Sequence, residues 1–212
     1  MDFDLDQVDA LLTTTRAVRK RLDFSRPVPD EVLLECLRLA IQAPTGSNTQ
    51  TWRWLIVRDP AKRAELARLY REAGGDYLRK QASSAQADTQ MGRVYDSAAY
   101  LAEHLAEAPV HVVPCVLGRP GERGWNAAAL FGSIVPAMWS FQLALRSRGL
   151  GTCLTTLHLE AEDEARQLLG IPEGVTQAGL LPVAYTKGSD FKPAKRRPVE
   201  EITYLDGWKQ PL

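Results

Sequence analysis

The run Gln42-Ala43-Pro44-Thr45-Gly46-Ser47-Asn48-Thr49-Gln50-Thr51-Trp52 places small, polar and turn-forming residues between a helical pattern and the apolar strand Trp54-Leu55-Ile56-Val57. A loop held between two buried elements is where binding groups concentrate. Gly46 lets the backbone approach a flat ligand, and Ser47, Asn48 and Gln50 carry hydrogen-bond donors. The same composition also suits an ordinary helix-to-strand connection. Arg16, Arg19, Lys20 and Arg21 cluster near the N-terminus, and Lys195, Arg196 and Arg197 cluster near the other end. Each cluster also reads as a solvated basic face. A further segment, Gly149 to Leu157, is small and Gly-punctuated, and by itself it is a plain turn.

Other chemistries find no residues to carry them. Cys36, Cys115 and Cys153 are far apart in apolar surroundings, and read as small core residues rather than disulfides or metal ligands. His104, His111 and His158 share no short ligand spacing. There is no dinucleotide fingerprint, no phosphate-cradling Gly-Lys-Thr loop and no Ser-His-Asp or Cys-His arrangement.

These stretches must be positioned by the elements between them. Helical spacing of Val8, Leu11, Leu12 and Thr15 behind Asp6 predicts a helix over 6–20, and Pro27-Val28-Pro29 separates it from a second over 30–42. A strand over 53–58 stops at Asp59-Pro60, which opens a helix ending near Ala73 with Gly74-Gly75 as its stop. Residues 76–92 lose the periodicity and read as a mobile, exposed, lid-like segment. Helix resumes over 94–106, and Val110 to Leu117 reads as a buried strand in which Pro114 implies a bulge or an edge. After a loop over 118–124, residues 126–148 form a helix apolar on nearly every side, with a kink expected at Pro136. Such a helix forms the central core or lies in a dimer interface. A helix over 160–169, a strand over 178–185 and a basic arm from about 187 to 212 complete the chain.

The chain has 212 residues, enough for one domain with extended arms, and 26 basic against 26 acidic residues leave no net charge to attract nucleic acid. The N-terminus is acidic where a signal peptide is basic, and no apolar run approaches the roughly 20 residues of a membrane span. The expectation is a cytoplasmic protein without a membrane partner.

Taken in order, the segments Arg16-Ala17-Val18-Arg19 with Pro27-Val28, Ala43 to Trp52, Gly149 to Thr156, and Arg196-Arg197-Pro198-Val199-Glu200-Glu201 with Asp206-Gly207-Trp208 resemble the FMN-dependent nitroreductase family over nearly the whole chain. The resemblance implies one α+β domain, a small antiparallel sheet surrounded by helices, in a homodimer that exchanges its C-terminal arms and holds FMN at the interface. It implies that Arg16 and Arg196 bind the phosphate through paired charge-assisted hydrogen bonds. Arg19 becomes the cation near flavin N1 and the C2 carbonyl, where negative charge collects on reduction. Pro44, Thr45, Gly46, Ser47 and Asn48 pack on the ring, in part from the opposite subunit. Leu154, Thr155 and Thr156 line the other face, with a backbone N–H near Thr156 directed at N5.

This sequence departs from the family pattern at two of its cofactor positions, with Thr15 where the family commonly has Arg and Ala17 where it has Ser, and it carries Arg21 where an aromatic is usual. Contacts to the phosphate or ribityl chain are lost there, and Lys20 or Arg21 are the candidates to replace them. The implied reaction passes hydride from NADH or NADPH through FMN to a nitroaromatic, quinone or similar small planar acceptor. The cofactor carries the chemistry, so no catalytic acid, base or nucleophile is expected of the protein. The alternatives are specialised flavin chemistry, either reductive dehalogenation, which Thr155-Thr156 faintly suggests, or flavin fragmentation, and a flavin-binding protein without turnover.

Overall fold

A computed structural model describes residues 2–211. The first helix, α1 (Leu5–Thr14), is capped by Asp4, which accepts from the Gln7 N–H at 3.1 Å. It starts earlier than its spacing predicts and stops well short of residue 20. The hydroxyls of Thr13, Thr14 and Thr15 each turn back onto the carbonyl four residues earlier, at 2.6 Å. A run of β-branched residues bonding in this way favours an end to the helix. Arg16 to Arg19 therefore belong to extended chain and not to a helix end.

The chain divides into two compact units, one running from Arg16 to Ser189 and the other made of the ends, up to Thr15 and from Asp190. In the larger unit the elements follow as β1 (Leu22–Asp23), α2 (Asp30–Ala40), β2 (Trp52–Val57), α3 (Pro60–Ser84), α4 (Gln90–His104), β3 (Val110–Leu117), α5 (Gly124–Ser147), β4 (Leu150–Thr152), α6 (Glu162–Leu169), β5 (Val175–Gln177) and β6 (Leu181–Thr186). The strands form one antiparallel sheet with the path β1-β6-β3-β2, to which β4 adds beside β6 and β5 beside β3. β3 is central and buried on both faces, which explains its apolar run, broken only by the buried His111. Val113 and Cys115 pack against α3 and α4, whereas Val110 and Val112 pack with residues of α2 and α5.

Pro114 lies neither at an edge nor in a bulge. It pairs with Trp54 on one side and sits where the other side of β3 changes partner from β6 to β5, so its missing N–H interrupts no ladder there. The strand expected over 178–185 begins only at Leu181, as β6; residues 178–180 connect it to β5, with the Ala178 N–H donating to the Pro114 carbonyl at 2.8 Å.

The largest correction concerns α3, which runs through Gly74-Gly75 to Ser84 and absorbs much of the segment expected to be irregular. Gly74 is there for packing, since a Cβ would stand 2.6 Å from a methyl of Leu157. Leu78, one turn on, is buried. Only residues 85–89 connect α3 to α4, which Thr89 caps through the Gly92 N–H at 2.9 Å. α5 continues through Pro136 and, among the described helices, is the one long and apolar enough to cross a membrane. Its Ile134, Ala137, Met138, Phe141 and Leu145 are fully buried within the protein instead. Phe131, Val135 and Trp139, at helical spacing, remain exposed.

In the smaller unit most of the arm has no regular secondary structure, apart from a 3-10 turn over Val199–Ile202. Tyr204 and Trp208 pack as a tilted aromatic pair, 5.0 Å between centroids, and Leu205 donates to the Gln210 carbonyl at 2.9 Å.

Candidate cofactor site

Arg16, Ala17, Val18 and Arg19 run alongside β4. Ala17 bridges Thr152 in parallel, and the Val18 N–H donates to the Thr152 carbonyl at 2.9 Å. Val18 is buried, which turns Arg19 into a partly covered position rather than open solvent. The approach needs glycine at 151, where a Cβ would meet Thr186 at 2.7 Å and Val18 at 3.0 Å.

The Arg19 guanidinium lies among neutral groups from separate elements. Its Nη1 donates to the Ser97 hydroxyl of α4 at 3.3 Å, and it lies close to the buried thiol of Cys153. Burial pushes that thiol up to about 11 despite the nearby cation, so it stays uncharged at neutral pH. The phenol of Tyr70 on α3 is near enough to feel the same charge. Among the described residues Arg19 has no carboxylate partner, whereas Arg58, Arg68, Arg79, Arg119, Arg148 and Arg166 all lie against one. A half-covered cation left uncompensated favours an anionic or electron-rich ligand edge beside it.

The candidates for replacing the lost family contacts are engaged elsewhere. Lys20 pairs with Asp96 and lies 5.8 Å from the centroid of the Tyr100 ring. Arg21 donates to the Lys187 carbonyl at 2.9 Å. Ala17 is exposed and offers no side-chain donor.

After β4 the chain alternates, with Leu154 and Thr156 exposed and Thr155 buried between them. Thr155 exchanges backbone hydrogen bonds with Leu180 at 3.0 and 2.8 Å, and its side chain lies close to the Tyr70 phenol. Burial pushes that phenol above its ordinary range. Locked from behind in this way, the segment turns Leu154 and Thr156 outward. Thr155 therefore supports the surface rather than lining it.

The loop expected to pack on a ring is a different kind of structure. Its Gly46 N–H donates to the Ser133 hydroxyl of α5 at 3.0 Å. Asn48 and Thr49 close a turn onto Thr45 and Gly46, at 3.1 Å each, and the Gln50 side-chain Nε2 donates to Asn48 Oδ1 at 3.2 Å. Ser47, Asn48 and Gln50 all have left-handed φ, between 50° and 53°. Such backbone persists where the surroundings over-determine it and is concentrated at ligand sites. Pro44, Gly46, Ser47 and Asn48 are exposed, with Thr45 partly covered. α5 carries both this loop, through Ser133, and the surroundings of Leu154, through Met138 beside Gly179.

The structure thus brings Arg16, Ala17 and Arg19 together with the 152–156 segment, while the 44–48 loop is held separately on α5. Thr15 and Arg196 belong to the smaller unit, where the Thr15 hydroxyl is spent on Leu11 and Arg196 is exposed. Sequence reasoning did not single out Ser97, Tyr70, Cys153 or Ser133 for the site. Each is an ordinary residue within a helix or beside a strand, and only folding sets it against Arg19, Thr155 or Gly46.

The chain is similar in sequence and in fold to known proteins. The sequence model of the Nitroreductase family matches residues 12–185. Rat (Rattus norvegicus) iodotyrosine deiodinase 1 is 27% identical over 201 residues, which cover 91% of this chain and 67% of the rat protein. A protein of Thermus thermophilus named NADH dehydrogenase is 28% identical over 218 residues, covering 93% of this chain and 95% of its own. In fold, the chain is similar to an oxidized iodotyrosine deiodinase solved with FMN and 3-iodo-L-tyrosine, with a TM-score of 0.66 at 23% identity over 90% of this chain and 95% of that one.

Proposed function

The chain belongs to the nitroreductase family, and from that premise we propose that it is an FMN-dependent oxidoreductase that takes hydride from NADH or NADPH and reduces a small planar acceptor. The observation that carries this reading is Arg19, a partly covered guanidinium with neutral neighbours and no carboxylate, set beside the Thr152–Thr156 segment. That donor set fits a flavin, whose pyrimidine edge gathers negative charge on reduction. When bound, FMN supplies the hydride and electron transfer.

The protein's own part is to bind, orient and tune. Arg16 and Arg196 would hold the phosphate, whose charge suits two guanidinium forks. Arg19 would favour the reduced, anionic form over the oxidised one. Leu154 would cover one face of the ring, and the exposed backbone at Thr156 would offer an N–H to the reacting edge. Loop 44–48, braced by Ser133, would cover the ring from a second copy of the chain. A homodimer is part of this reading because Phe131, Val135 and Trp139 leave an apolar stripe on α5, and Trp208 of the arm is 81% exposed. Such surfaces are covered in an exchanged-arm dimer. The buried free thiols of Cys36, Cys115 and Cys153 fit a reducing, cytoplasmic setting.

Relatives named iodotyrosine deiodinase favour a second reading, in which the electrons remove a halide from a halogenated aromatic. One set of assays tests both. Purified protein reconstituted with FMN is expected to oxidise NADH or NADPH rapidly with menadione or nitrofurazone. Release of iodide from 3-iodo-L-tyrosine, with no turnover of either quinone or nitro compound, would favour the second reading. Failure to hold FMN at all would refute both.

A further inference from the structure

We infer that Ser97 is a positioning residue that aims Arg19 at the flavin and so sets the cofactor's reduction potential from helix α4. The inference rests on the FMN reading above and adds to it a control on the cofactor's potential that lies outside the binding segments.

A guanidinium on a long side chain is often fixed by a carboxylate, as Arg58, Arg68, Arg79 and Arg119 are in this protein. A carboxylate beside Arg19 would fix it too, but would cancel the charge it brings to the ring. Here the fixing groups are uncharged. Ser97 accepts from Nη1 at 3.3 Å, and its own hydroxyl proton is spent on the Val94 carbonyl at 2.9 Å. The oxygen lone pairs therefore face Arg19, and the serine acts as acceptor only. Cys153 supplies a second neutral contact from the end of β4. The guanidinium is held without losing charge, which a carboxylate cannot achieve.

The same turn of α4 carries a second tie to the strip, the ion pair of Asp96 with Lys20. This pair allows the positioning effect to be separated from simple docking of the helix. Removing the Ser97 hydroxyl frees the guanidinium to swing away from the reduced ring and weakens binding of reduced FMN. Removing the Asp96 carboxylate leaves Lys20 uncompensated, which adds positive field and cannot weaken binding of the anionic form through charge.

The test is a redox titration of FMN-loaded protein with Kd values for oxidised FMN, on the unaltered chain and on Ser97→Ala, Ser97→Thr, Asp96→Asn and Arg19→Ala. Ser97→Ala is expected to lower the ratio of reduced-to-oxidised FMN affinity about threefold to tenfold, the scale of one hydrogen bond. At about 30 mV per tenfold, the midpoint falls by about 15–30 mV. Ser97→Thr, which keeps the hydroxyl, restores most of it. Asp96→Asn leaves the midpoint unchanged or raises it, and Arg19→Ala lowers it at least as far as Ser97→Ala. A midpoint for Ser97→Ala equal to that of the unaltered protein, with Arg19→Ala still lowered, overturns the Ser97 assignment and leaves the function standing. An equal fall in Asp96→Asn overturns it too, because helix docking would then be the cause. If the unaltered chain binds no FMN, the functional reading and this inference fail together.

Discussion

Replacing His158 should flatten the acid sensitivity of this protein without weakening it at neutral pH. His158 and His111 are both fully buried, and desolvation holds each imidazole down to about 4. His111 bonds the Leu105 carbonyl at 2.8 Å through Nε2, but its Nδ1 and both ring nitrogens of His158 have no partner among the described residues. The sign follows from the proton count. Between the unfolded value of 6.5 and the folded value of about 4, the unfolded chain binds more protons, so stability rises with pH through that window and is level above it. At pH 5.0 an unfolded imidazole is almost fully charged while the buried one is mostly neutral, a difference of about 2 kcal/mol for each histidine. The native protein should therefore lose about 4 kcal/mol between pH 7.5 and 5.0, a large share of a typical domain's stability. His158→Leu should lose about 2 kcal/mol over the same range. At pH 7.5 it should be at least as stable, since removing buried unpaired nitrogens, at about 1–3 kcal/mol each, outweighs a shape mismatch of about 1.5 kcal/mol. Urea denaturation at the two pH values, at one fixed FMN concentration, measures this. Stopping at pH 5.0 keeps carboxylate titration out of the comparison. Equal losses for variant and native protein would show that His158 is not held neutral by burial.

Gly151→Ala should cost about 1–3 kcal/mol by overpacking against Thr186 and Val18, and weaken FMN binding by shifting the Arg16–Arg19 strip; thermal melts and flavin fluorescence titration report the two effects, and an unchanged FMN Kd would disconnect the strip from the site. Arg196→Ala should weaken FMN binding by about 1.5–3 kcal/mol, the range for a hydrogen bond to a charged group; unchanged affinity by equilibrium titration would make the basic arm a solvated surface. Val135→Glu should convert the expected dimer to monomer in light scattering, because a charge in the middle of an apolar stripe loses its hydration on burial. A variant that remains fully dimeric would place the interface elsewhere.

Much of the architecture can be read without coordinates, where local chemistry alone decides the outcome. The proline and N-cap opening α3, the glycine closing α6 with φ 67°, and the apolar run of β3 each arise from the backbone preferences or burial of neighbouring residues. The ordered motifs in the same way identify the family to which the chain belongs. Tertiary structure decides the rest. Gly74-Gly75 reads as a stop because glycine ends most helices, yet here α3 passes through it, since the missing Cβ makes room for Leu157 from far along the chain. Pro114 reads as an edge until its neighbours show that β3 changes partner at that position. The chemistry of Arg19 is likewise set by groups that no spacing connects to it, the Ser97 hydroxyl, the Cys153 thiol and the Tyr70 phenol, which meet only when α4, β4 and α3 pack. Periodicity and caps act over a few residues, whereas the field and mobility of a charge depend on whatever the fold places within a few ångströms of it.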